Sequence, residues 1–248
     1  MVSMNRLTTE QRARIVGCLT EGMSIRATVR VTGAAKNTVT KLLVDLGQAC
    51  TTCQDTALVD LPCTRIECDE IWSFCYAKQK NVPEVHRGEY GYGDVWTWTA
   101  ICADTKLVPS WLVGERVTED ALVFMSDLKA RLVNRVQLTT DGHKPYLYAV
   151  EATFGADIDY AMLHKIYGAA TGAGDERRYS PAVCTGTDKK VENLAHAVSL
   201  HYMHYNFARP HKTLTKAAGG YPTTPATAAG VADHAWTLVE IASLLDSN

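Results

Sequence analysis

Apolar positions recur at helical spacing at the start of the chain and alternate with polar ones through its middle. From Leu7 to Leu46 the pattern predicts three helices. Thr8-Thr9-Glu10-Gln11 has the threonine, acid and amide of a helix start, and Ile15, Cys18 and Leu19 then form one stripe. Gly22 interrupts, Ser24 can cap a second helix through Val31, and Gly33 supplies a turn. Lys36 or Asn37 then opens a third helix carrying Val39, Leu42, Leu43 and Leu46. The stretch Ala49 to Asp60 is rich in Thr, Cys, Asp and Gln and stands before Pro62, so residues 49–62 read as a linker between two domains.

Beyond Pro62, Thr64 to Phe74 alternates as a strand with Asp69 in its middle. Strands follow at Asp94 to Asp104 and Leu107 to Val113, joined by a tight turn at Asp104-Thr105. Ala121 to Leu132 is helical, with 121, 122, 125, 128 and 132 on one stripe. Arg135 to Thr140 is a fourth strand running into Asp141-Gly142-His143. A helix from Pro145 to Phe154, a strand from Asp159 to Ile166, a helix from Asp188 to Phe207 and a tail helix from Trp236 to Leu245 complete the series. The helix from Asp188 places Val191, Ala195, Val198 and Tyr202 on a packing stripe. The order predicts an α/β fold: an RNase H-like mixed sheet flanked by helices over 63–216, preceded by a small all-α helix-turn-helix domain over 1–48 and followed by a tail over 217–248.

Charge sharpens this picture. The 248 residues carry a net charge of −2, unevenly spread. Residues 1–50 hold seven Lys/Arg against three Asp/Glu and residues 177–216 hold seven against two, whereas 51–176 hold eleven against nineteen. Basic flanks around an acidic body suit DNA contacts at the flanks and cations in the body. In a helix-turn-helix the third helix enters the major groove, which puts Lys36, Asn37, Thr38, Thr40 and Lys41 against phosphates and base edges; the competing reading is a small helical bundle. Arg209, His211 and Lys212 could touch phosphates, or Pro210 could simply end a helix. Eight cysteines spread over this length fit reduced thiols rather than a disulfide framework, and Cys50-x-x-Cys53 is half a zinc spacing whose other half, Cys63 and Cys68, is misplaced. No stretch is apolar enough for a membrane span, and no signal peptide opens the chain, so a cytoplasmic protein without membrane contact is expected.

Asp69 within the first strand and Asp141 at the end of the fourth can sit close enough to share divalent cations, and hard oxygen ligands select Mg²⁺ or Mn²⁺. Two such metals serve in-line displacement at a DNA phosphate. The competing reading of Asp141 is a turn residue before Gly142.

These residues resemble the transposases of insertion sequence one and its relatives over nearly the whole chain. The resemblance is carried by Asp69-Glu70-Ile71-Trp72-Ser73-Phe74, Gly91-Tyr92-Gly93-Asp94-Val95-Trp96-Thr97-Trp98, Thr139-Thr140-Asp141-Gly142-His143 and the run from His204 to Leu214. It implies a DDE core, in which two aspartates and a glutamate hold metal, cut double-stranded DNA at element ends and join those ends to a target. Asp69 and Asp141 match the two aspartates, and self-association is implied. The segment that carries the family's glutamate is missing after Tyr179-Ser180-Pro181-Ala182, as if deleted, so that the region around 168–188 is shortened. Glu192 and its rival Glu176 are the substitutes, each with the competing reading of a solvated charge. The alternative to an active transposase is a catalytically decayed or repurposed DNA-binding relative.

Overall fold

The computed structural model describes residues 7–89, 91–163 and 191–246. Its first helix, α1 (Thr9–Thr20), begins at a complete capping box: the Gln11 amide donates to Thr8 Oγ1 and the Thr8 amide to Gln11 Oε1. Helix α2 (Ile25–Thr32) is capped by Ser24 and ends at Gly33, whose φ of 73° is the left-handed value that favours glycine there. Helix α3 starts at Lys36. Ile15, Val39 and Leu42 form the small core of these three helices, with Leu19, Ile25 and Val29 packed around it.

The predicted linker is largely helix. α3 runs from Lys36 to Ala57, well past Leu46, so residues 49–57 join the N-terminal helices to the body as one rod. The apolar stripe of Leu43, Leu46 and Cys50 enters the main core, and two of the polar residues that suggest a loop, Thr51 and Gln54, are bonded to helix α6 (Val191–Met203). Thr51 Oγ1 and Ser199 Oγ lie 2.8 Å apart, Ser199 Oγ donates to the Gly47 carbonyl at 2.8 Å, and Gln54 Nε2 donates to the Ser199 carbonyl at 3.2 Å. Gly47 sets the distance between the helices, because a Cβ there would lie 2.5 Å from His196 Cβ. At the far end Arg131 closes α3, reaching the Leu58 carbonyl and Asp55 while paired to Asp127.

The sheet contains β1 (Arg65–Cys75), β2 (Gly93–Cys102), β3 (Ser110–Gly114), β4 (Gln137–Asp141) and β5 (Asp159–Leu163), in the order β3-β2-β1-β4-β5. β1, β2 and β3 form an antiparallel meander, and β4 and β5 add in parallel. This five-stranded mixed sheet flanked by helices is compatible with an RNase H-like fold. Helices α4 (Thr118–Arg131) and α5 (Pro145–Phe154) cover the face bearing Ile66, Cys68 and Trp98; the Trp98 ring lies 6.0 Å from Phe124 and 5.4 Å from Tyr146. α6 covers the opposite face, where Tyr202 OH bonds Thr99 Oγ1 at 2.8 Å and Tyr202 stacks on Trp111.

Beyond Met203 the helix widens into a π turn, His204–Ala208, and stops before Pro210. Asn206 within it is a structural residue: its buried amide exchanges two hydrogen bonds with the backbone of Val108. Three short helices follow: α7 (Lys212–Ala217), α8 (Pro225–Ala228) and α9 (Leu238–Ser243). The tail returns to the N-terminal helices, where buried Arg12 of α1 pairs with Asp246 and Leu238 meets Gly17. Among the described residues no helix is long and apolar enough to cross a membrane.

Candidate metal centre at the end of the parallel strands

β1 and β4 pair in register from Arg65↔Gln137 to Cys68↔Thr140, and the next residue on each strand is an aspartate. Asp69 and Asp141 therefore stand side by side on one face, where the parallel ladder ends. Carboxyl ends of parallel strands are where α/β sheets open crevices for ligands. Glu70 is the third acid present: ligand oxygens of Asp69, Glu70 and Asp141 all lie within 4.8 Å of one another.

Each acid is held by a different local device. Asp69 is exposed, and one of its oxygens accepts the Glu70 amide at 2.8 Å. Asp141 Oδ1 accepts the His143 amide at 2.9 Å, an Asx turn over Gly142, which leaves Oδ2 directed at Arg116, 3.4 Å away. Asp141 thus serves both the turn and the cluster. Glu70 points to the opposite face of β1, and only 1% of its side chain is exposed. Its Oε2 accepts from Arg116 Nε at 2.9 Å and lies 2.8 Å from Arg116 Nη2 in an ion pair, whereas Oε1 is buried. Burial pushes the Glu70 carboxyl above its usual range and the charge of Asp141 adds to this, while Tyr146 and Arg116 oppose it. His143 is pushed down, chiefly by burial and then by Arg116.

Glu70 Oε1, His143 Nε2 and Tyr146 OH are buried and make no hydrogen bond of ordinary geometry, although the Tyr146 hydroxyl is near enough to the Glu70 carboxyl to lower its pKa. The His143 and Tyr146 rings flank Trp98 at 5.7 and 5.4 Å, and Trp98 stands opposite Glu70 in the β1–β2 register. A buried polar atom without a hydrogen bond costs about 1–3 kcal/mol, a cost that a bound cation or ligand could offset. Three carboxylates with a spare buried oxygen suit a hard divalent cation such as Mg²⁺ or Mn²⁺.

The structure brings Glu70 to Asp69 and Asp141 and keeps Glu192 away from them. Glu192 is exposed on the first turn of α6, and its neighbour Val191 packs with Cys75 and Val95 at the far end of β1. Cys75 is six residues, roughly 20 Å, along the strand from Asp69. Glu176 and the shortened region around 168–188 lie outside the described residues. Glu70 escapes a reading by alternation because neighbours on a strand face opposite ways; its place at the end of the parallel ladder was the available signal.

Of the residues expected to meet DNA, Lys36, Asn37 and Lys41 are exposed at the start of α3, with Lys41 paired to Asp45 at 2.6 Å. Thr38 and Thr40 are partly covered, and Thr40 Oγ1 donates to the Lys36 carbonyl. Arg209 and Lys212 are exposed on the other side of His211, whose Nδ1 is buried. Cys50, Cys53, Cys63 and Cys68 are free thiols, and the acidic cluster is the one potential metal group among the described residues. A scan against protein-family models and a search of curated proteins each found no match for this chain.

Proposed function

We propose that this chain is a DNA transposase of an insertion sequence: it binds element ends through its N-terminal helices and carries out metal-dependent cleavage and strand transfer on double-stranded DNA. The observation that carries the reading is the convergence of Asp69, Glu70 and Asp141 where the β1–β4 ladder ends, their ligand oxygens all within 4.8 Å of one another. Asp69, Asp141 and Glu70 would hold Mg²⁺ or Mn²⁺. Such ions activate an attacking oxygen and stabilise a leaving one in displacement at phosphorus. Arg116 bridges Glu70 and Asp141 and is placed to meet a phosphate oxygen once a cation takes over the carboxylates. In this reading α3 presents Lys36, Asn37 and Lys41 to the major groove, and Arg209 and Lys212 add backbone contacts.

A second reading is favoured by the same arginine. A protein cation already pairs with two of the three acids, as it would in a transposase-derived DNA-binding protein that no longer cuts. Nicking of supercoiled plasmid carrying the element's ends, in Mg²⁺ and Mn²⁺, separates the two. Cutting that is lost in Asp69→Ala and Asp141→Ala supports the enzyme; salt-sensitive DNA binding without cutting in either metal supports the binder.

A further inference from the structure

β4 accompanies β1 only to Cys68, but β2 follows it to Cys75, so the segments 71–75 and 93–97 extend past the parallel half of the sheet. On the face that carries Glu70, this extension sets Trp72 directly opposite Trp96. Phe74 lies 5.7 Å from Trp72, whose side chain remains exposed although tryptophan is costly to leave in water. Both indole rings are topped by cations: Lys78 Nζ is 5.3 Å from the Trp72 ring centre, and the Arg116 guanidinium is 4.8 Å from that of Trp96. Arg116 is also the residue that reaches Glu70 and Asp141, so the aromatic strip and the acidic cluster adjoin. Two residues of strand, about 7 Å, separate Glu70 from Trp72.

We propose that the Trp72–Trp96 tip is a stacking platform for unpaired DNA bases, which holds a single-stranded end with its backbone directed at Asp69, Glu70 and Asp141. The inference rests on the phosphoryl-transfer reading of that cluster. The chemistry selects the occupant. An indole face takes up a base only when the base is out of its duplex stack, and a cation beside each ring neutralises the phosphate that comes with it. Two such strips facing each other would bring four cations together, whereas a polyanion complements Lys78 and Arg116.

The test uses the full chain in EDTA, with a labelled 15-nucleotide single strand and the duplex of the same sequence. Trp72→Ala should weaken single-strand binding about 10- to 100-fold and duplex binding less than about twofold, while Trp72→Phe retains most of the affinity. Lys78→Ala should lower the salt dependence of single-strand binding by about 0.7 in log–log slope. Equal weakening on both DNAs, or no loss on the single strand, overturns the platform. So does a change in sedimentation of Trp72→Ala with single-strand affinity intact, which assigns the strip to contact between copies. The two readings fail separately: lost single-strand selectivity with intact nicking removes the platform alone, and selective binding without nicking removes the chemistry alone.

Discussion

Two buried polar regions of this protein have opposite bookkeeping. In the α3–α6 seam, Thr51, Ser199, Gln54 and the Gly47 carbonyl bond to one another, and Gln54 Oε1 alone is left over. At the end of the parallel strands, Glu70, His143 and Tyr146 each keep a buried atom without a hydrogen bond of ordinary geometry. Satisfied groups fix a geometry; unsatisfied ones hold free energy that a ligand can recover. The seam therefore reads as structural, and the sheet end is the place where the proposed function puts its ligand.

Substitution at the aspartates is the most severe way to break this comparison. Asp69→Ala or Asp141→Ala should lower plasmid nicking about 10²- to 10⁴-fold, the rate equivalent of the several kcal/mol that metal-held charge stabilisation supplies, while thermal unfolding changes little. In the seam the expectation is reversed. Gly47→Ala should cost about 1–3 kcal/mol in denaturant unfolding, since its Cβ has no room beside His196, and should leave Mn²⁺ titration of the cluster unchanged. Ser199→Ala should cost about 1–3 kcal/mol by stranding its seam partners, again without effect on cation binding.

Glu70→Gln sharpens the contrast because it should separate stability from function in one residue. A carboxyl whose folded pKa is raised contributes stability that is fully present below its unfolded pKa and lost as pH rises through the folded value. The glutamine variant should thus be as stable as the parent near pH 4 and more stable at pH 7, yet bind Mn²⁺ more weakly by calorimetry. A destabilised variant at pH 7 would make Glu70 a structural residue of the Arg116 pair. The smallest effect is expected far from both regions. His234, between Asp233 and Glu240 ahead of α9, has a raised pKa from those two partners, Glu240 first. Its contribution is present below the ordinary histidine pKa and lost as pH rises through the raised one, so His234→Ala should flatten that part of the stability profile.

Much of this architecture was legible along the chain. Thr8, Ser24 and Gly33 act locally, so the limits of α1 and α2 follow from capping and turn chemistry. Alternation located β1 and β2, and the limits of α5 agree with the predicted Pro145 to Phe154. Alternation put Asp69 within one strand and Asp141 at the end of another, and the structure sets those two positions side by side. Three features needed tertiary contacts. The stretch after Leu46 is helix because Ser199, remote in sequence, takes up its polar groups, whereas composition alone describes a linker. Glu70 joins the cluster across the strand's alternation because the parallel ladder ends there and Arg116 folds over from beyond β3. Glu192 stays apart because the first turn of α6 packs at Cys75 and Val95, roughly 20 Å along β1 from Asp69. Local propensity acts within a few residues, whereas the partners of a buried polar group are chosen by how the elements pack; the first was written in the sequence, and the second arose only on folding.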